Sequence, residues 1–335
     1  MANLDRTAQS PARRWAMPER LRGVGQSYGA LIALVALVLY NVLFTPSFLT
    51  AQAINVNLTQ VATIVIVATG MTLVIATGGI DLSVGSLMAI AGALAPLIFL
   101  SKTPPFNTPA IGITAAIVIP IAVAGLFGLF NGVLVTTFRI QPIIATLVLF
   151  IAGRGIAQVM TNGNLQSFKN PGFQYIGLGR PLGIPFQVIL MILIVVFFAW
   201  LMRTTAFGRY VLATGGNESA ARLAGVPVHR VKRMVYAISG LLAGLAGLIV
   251  IAINSSSDAN LVGLNMELDA IAAVAVGGTP LMGGRATVVG TLLGALIIQL
   301  IRFTLLSNGV PFAVAQIINA AIILGAVYIQ RQQQS

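Results

Sequence analysis

Apolar runs of membrane-span length follow one another along almost the whole chain, and they restrict it to one class of fold. A helix rises about 1.5 Å per residue, so crossing about 30 Å of hydrocarbon takes about 20 apolar residues. Runs of or near this length fall at 27–46, 53–77, 83–101, 110–138, 142–161, 186–202, 231–252, 266–278, 286–305 and 312–330. Only 8% of the 335 residues are charged and 57% are hydrophobic, too few charges to clothe a water-soluble surface. The expectation is an all-α polytopic membrane protein of about ten transmembrane helices, some of them short or broken.

Charge placement orients it. The net charge of +12 could suggest nucleic acid, but the basic residues gather in the N-terminal tail and in 203–233, with Arg139 and Arg331 at further turns on the same side. Only Lys102, Lys169 and Arg180 fall in the opposite loops. That asymmetry is the positive-inside pattern. It puts both termini in the cytoplasm and leaves no role for a nucleic acid. The predicted organisation is a basic cytoplasmic tail (1–26), one transmembrane domain (27–330) and a short cytoplasmic tail (331–335). Ala51 to Ala53 resembles a signal-peptidase site, but a long basic tail precedes the apolar run, and an uncleaved first span fits better. Cysteine is absent and His229 is the single histidine, so thiolate chemistry, disulfides and a metal cluster are not expected. No GxxxxGK[ST] loop occurs, so the chain has no phosphate loop with which to hydrolyse ATP.

Three stretches break the apolar monotony. Residues 78–85 (GGIDLSVG) and 277–284 (GGTPLMGG) each follow an apolar segment and open another. The segment before the second is too short to cross the bilayer. Short, glycine-interrupted segments at matching places in two halves point to a transport pathway. The third stretch, 213–233 (ATGGNESAARLAGVPVHRVKR), reads as a turn at Gly215, Gly216 and Asn217 followed by a short helix over about 214–226. Asn217 or Ser219 caps it, Glu218 favours its N-terminus, and Gly225 with Pro227 stops it. Ala220, Ala221 and Ala224 give it a small, smooth face, suited to docking a soluble subunit.

Charges inside apolar segments are costly, about 2.5–3.5 kcal/mol each at mid-bilayer, so each needs a partner, a cap or water. Asp81 reads first as a helix cap or hinge with Ser83; a substrate contact and an ion-coupling site are the alternatives. Glu267 and Asp269 are expected to open the segment 266–278 in the same way, and Arg154 to pair with one of these carboxylates. Asn57, Gln60 and Thr63 lie along one helix face and could line a wet path or bond between helices. Gly128xxxGly132, Gly240xxxGly244 and Gly290xxxGly294 read as packing faces, within the subunit or at a dimer seam. The ordered look of 162–185, rich in Gly, Pro, Asn and aromatics, suits either a docking surface or a solvated connector.

With these motifs in view, GMTLVIATGGIDLSVGS (70–86), GLGRPLGIP (177–185), ATGGNESAARLAGV (213–226) and ELDAIAAVAVGGTPLMGGRATVVGTLLGALI (267–297) resemble the permease subunits of ABC importers for monosaccharides, of the ribose, xylose and galactofuranose type. The resemblance runs from about residue 30 to 330. It implies a multi-pass protein of the bacterial inner membrane, paired with a second permease of the same or another kind. It also implies an ATPase with two nucleotide-binding halves inside and a periplasmic sugar-binding protein outside. Gly216, Asn217, Glu218, Ala220, Ala221 and Gly225 would be the coupling helix gripped by the ATPase. ATP and magnesium would belong to that partner, with no cofactor on this chain. Asn57, Gln60, Thr63, Asp81, Arg154 and Asp269 are the expected pathway residues. The rival is an ion-coupled secondary transporter using Asp81.

Overall fold

The computed structural model of the protein describes residues 19–334. Residues 1–18 of the predicted basic tail and Ser335 of the predicted C-terminal tail lie outside the described residues. Each predicted apolar segment holds one helix: α1 (Glu19–Phe44), α2 (Ala51–Ala76), α3 (Val84–Phe99), α4 (Pro109–Thr136), α5 (Pro142–Thr161), then, past a small helix α6 (Pro171–Leu178), α7 (Phe186–Thr204). Two short helices follow, α8 (Ala206–Gly216) and α9 (Glu218–Leu223), and the chain ends with α10 (Val228–Asn254), α11 (Met266–Val276), α12 (Val288–Ser307) and α13 (Phe312–Gln334). Of the described helices, α2, α4, α5, α7, α10 and α12 are long and apolar enough to cross a membrane. At 16 and 11 residues, α3 and α11 are shorter, and each adjoins one of the glycine-broken stretches.

Local chemistry sets the ends. Thr50 caps α2 by accepting the Ala53 N–H at 3.2 Å, and Asn170 caps α6 through Phe173 N–H at 3.2 Å. Pro109, Pro142 and Pro171 begin their helices, where a missing N–H costs nothing.

The core is layered around α2. Every residue from Val61 to Ala76 is buried, the signature of a helix enclosed by other helices. Its neighbours are α10, α12, α11, α7 and α8. By contrast α4, α5 and α7 leave most of their apolar surface outward, as lipid-facing helices do. The glycine faces are internal to the chain. A methyl group on Gly128 would strike the Tyr236 carbonyl and Gly240, and one on Gly240 would strike Ala124, so α4 and α10 cross at backbone contact. Likewise Gly290 and Gly294 of α12 lie against Gly277 and Ala273. The close approach gives dispersion contact that two lipid-solvated helices lack.

Residues 162–185 carry local structure of their own. Strand β1 (Gln166–Ser167) pairs antiparallel with β2 (Ser256–Ser257). Phe168 and Phe173 close on Phe99 with ring centroids 5.0 and 4.8 Å away.

Candidate functional site

The two glycine-broken stretches end their helices identically. After α2, Gly78 N–H bonds to Ile75 O at 2.8 Å and Gly79 N–H to Val74 O at 3.1 Å, with Gly78 at φ +78°. After α11, Gly278 N–H bonds to Ala275 O at 3.0 Å and Thr279 N–H to Val274 O at 3.2 Å, with Gly278 at φ +85°. Both are Schellman ends, which need a left-handed residue that glycine supplies without strain. The structure therefore matches Gly78 to Gly278, one residue away from the sequence register that matched it to Gly277.

These two turns meet. Gly284 N–H bonds to the Ala76 carbonyl at 3.1 Å, and a methyl group on Gly283 would lie 2.7 Å from Gly78 N. The end of α8 inserts at the same point: a methyl group on Gly215 would overlap the Ala76 carbonyl and sit 2.7 Å from Gly284 N. Gly215 and Gly216, expected to form a turn, are the last residues of helix α8. Side chains here would hold three backbones apart; glycines let them touch. Gly216 is looser, its nearest neighbour in such a test being Gly284 at 4.0 Å.

Directly after this junction comes α9. Asn217 caps it through Ala220 N–H at 3.0 Å, and Gly225, at φ +82°, lets the chain leave. Glu218 pairs with Arg222 at 3.0 Å and with Lys232 of α10. Burial pushes the Glu218 carboxyl up, but Lys232 and Arg222 outweigh it and hold it below the usual carboxylate range. Ala221 is buried, so the small-residue face drawn through Ala220, Ala221 and Ala224 is divided between the two sides of α9. A one-and-a-half-turn helix anchored at both ends must turn one side in. Ala220, Leu223 and Ala224 remain outward, and Leu223, which the sequence reading passed over, is 91% exposed.

Asp81 lies just past the first turn and is wholly buried. Its Oδ1 accepts the Ser83 N–H at 3.0 Å and the Ser83 hydroxyl at 2.6 Å, and its Oδ2 accepts the Ser239 hydroxyl of α10 at 2.8 Å. Asn131 of α4 donates to Ser83 Oγ at 2.9 Å. The carboxylate thus ties the start of α3 to α10 and, through Ser83, to α4. It takes part in none of the ion pairs among the described residues.

The other predicted charges have different partners from those expected. Arg154 forms no ion pair among the described residues. Its Nη1 donates to the carbonyls of Ala259, at 2.8 Å, and Val262. It thereby holds an irregular segment deep against α3, where Gly263 touches Gly85. Such backbone is tolerated at membrane depth only when protein satisfies it. Asp269 does not cap α11; both its oxygens bond Arg302 of α12, at 2.9 and 3.0 Å. Glu267, two residues earlier, is buried with Oε2 unbonded. In the polar stripe, Gln299 of α12 donates to Gln60 at 2.6 Å and to Asn57 at 3.4 Å, while Thr63 turns to the Gln60 carbonyl. The stripe therefore bonds between helices, with Gln60 still exposed at a cavity of about 250 Å³ beside α2, α6 and α7. Sequence reasoning missed Gln187, Gln299, Arg302, Ser239 and Asn131. A lone amide or arginine inside an apolar helix was the available signal for four of them; Ser239 carried none.

Residues 53–327 match the family model described as "Branched-chain amino acid transport system / permease component". The chain is 39% identical to the galactofuranose transporter permease protein of Escherichia coli (strain K12), over 97% of this chain and 93% of that one. It is 40% identical to the ribose import permease protein of the same strain, over 91% and 94%. With the fructose import permease protein of Bifidobacterium longum it shares 38% identity, over 84% and 81%. No solved structure matches it significantly. On this coverage, the chain belongs to the permease-component family of such transport systems.

Proposed function

We propose that this chain is the membrane-spanning permease of an ATP-driven importer that carries a monosaccharide from the periplasm into the cytoplasm. It is a multi-pass protein of the bacterial inner membrane, with both termini inside, about ten spans, and one transmembrane domain over 27–330. It works beside a second permease, identical or homologous. A cytoplasmic ATPase with two nucleotide-binding halves binds ATP and magnesium, and a periplasmic sugar-binding protein delivers the solute. This chain holds no cofactor of its own and performs no covalent chemistry.

The observation that carries the proposal is the backbone contact between the α8–α9 element and both glycine-broken turns. A partner that grips Ala220, Leu223 and Ala224 and displaces α9 pushes, through Gly215, on the end of α2 and on the Gly283–Gly284 turn together. Rigid elements in direct contact transmit such a shift, and the two turns are where the path changes access. The family description names branched-chain amino acids, but Asn55, Thr59, Gln60 and Gln187 around the α2–α7 cavity suit a hydroxylated solute better than an aliphatic one. The ion-coupled alternative lacks support at Asp81, whose oxygens are already held by Ser83 and Ser239. The test is uptake of labelled ribose, galactose, fructose and arabinose into proteoliposomes holding the chain with its ATPase and binding protein. Uptake of one of them is expected only with ATP; uptake driven by a proton or sodium gradient without ATP would overturn the proposal.

A further inference from the structure

The cavity of about 250 Å³ lies among the first turns of α2, the end of α6 with the loop after it, and the first turn of α7. Its polar lining comes from Asn55, Thr59, Gln60, Arg180 and Gln187. Ligand pockets for drug-sized molecules run to about 300–1,000 Å³, so this one suits a single small solute. Gln187 is 1% exposed and sits in the wall. Its Nε2 donates to Thr59 Oγ1 at 3.1 Å, and its Oε1 has no partner. Reversing the amide does not help, because Thr59 would then donate to Oε1 and leave Nε2 unbonded. A buried amide with one unsatisfied half is costly unless something enters the cavity to bond it. Gln60 is fixed at the rim by Gln299, which presets its amide for a second contact.

Resting on the sugar-permease reading, we infer that this cavity is a binding site within the permease for one uncharged, polyhydroxylated solute of monosaccharide size. Gln187 supplies the buried hydrogen-bonding group, and Asn55, Thr59 and Gln60 supply the wall contacts. The permease thus adds its own discrimination to that of its soluble partner. The native chain has no cysteine, so a single thiol, with label read on this chain after separation from the ATPase, reports on the cavity. Val56→Cys places it in the wall while removing no polar group. The full chain with its ATPase, in lipid vesicles and without the binding protein, is labelled by a small thiol reagent in the presence of ribose, arabinose, galactose or fructose, with gluconate as the charged control. At least one of the four neutral sugars should slow labelling. Added Gln187→Leu should weaken that protection about tenfold, the worth of one lost hydrogen bond. Thr59→Val, which frees the other half of the Gln187 amide but keeps the cavity's size, should shift protection in the same sense. Protection by no neutral sugar, protection by gluconate alike, or equal protection in both added variants would overturn the site and leave it a water-filled recess. ATP-driven uptake measured on the assembled importer with unaltered chain tests the transport reading separately, so either can fail alone.

Discussion

The turn after α2 and the turn after α11 share a helix end and then diverge. From Gly78 the chain passes Asp81 and is in α3 by Val84, its course fixed by a buried carboxylate bonded to Ser83 and Ser239. From Gly278 it runs on to Val288, with Gly283 and Gly284 both left-handed and reaching the end of α8. Thr287 closes that second turn, its N–H bonding Thr279 Oγ1 at 3.1 Å and its hydroxyl the Gly277 carbonyl at 3.1 Å. One turn is anchored to the surrounding helices through the buried Asp81 carboxyl. The other is closed on itself by neutral groups. The pair thus differs in chemistry, and both are touched by the same glycine of α8.

Substitution of the shared contact gives the largest expected effect. Gly215→Val should abolish ATP-driven uptake in proteoliposomes while the chain still inserts, because the side chain would separate all three backbones. Gly216→Ala, with open space before Gly284, should leave uptake near the native rate. If both behave alike, the contact does not couple α9 to the turns. Next comes the anchor. Asp81→Leu leaves the Ser83 N–H and the Ser239 hydroxyl without their acceptor in a dry interior, costing about 3 kcal/mol or more. Asp81→Asn keeps an acceptor and should cost about 1–2 kcal/mol. Thermal unfolding in mild detergent separates them, and equal total loss of uptake in well-folded protein would favour ion coupling instead. Thr287→Val in the second turn should cost only about 1 kcal/mol by the same measurement. Gly78→Ala and Gly278→Ala should cost equal amounts, about 1–2 kcal/mol each for a left-handed alanine; unequal costs would show that the two helix ends are alike in geometry but not in strain.

The smallest effect concerns α9. Its Glu218 carboxyl has a depressed folded value, so its ion pairs contribute fully above the unfolded value and are lost as pH falls through the folded one. The group is 41% exposed and screened by solvent, so the effect is modest. The protection factor of the Ala220 amide, which is exchange corrected for its intrinsic pH dependence, should fall on acidification in the native chain and stay flat in Glu218→Gln.

Periodicity and length were enough to place each long helix, because an apolar run has few other ways to satisfy its backbone in lipid. The Asn217 cap and the Gly225 stop were legible for the same local reason. What escaped the sequence was contact between segments far apart along it. Nothing in ATGG at 76–79 or at 213–216 says that the two stretches touch, since a glycine signals that something approaches but not what. Arg154 was expected to seek a carboxylate because opposite charges attract. It found two carbonyls instead, which an irregular segment left unbonded nearby. The burial of Ala221 was not legible because six residues are too few for a pattern to mark a face.

The enclosure of α2 has a consequence for how the protein is made. Membrane insertion reads each segment for its own apolarity, before its neighbours exist. In the finished molecule the stretch of α2 from Val61 to Ala76 is buried in protein, so lipid contact no longer requires its valines and isoleucines. Their apolar character is a credential for entry. A polar substitution there that the folded helix could satisfy with a neighbour would still reach the membrane late or not at all, and the defect would show in biogenesis before it showed in transport.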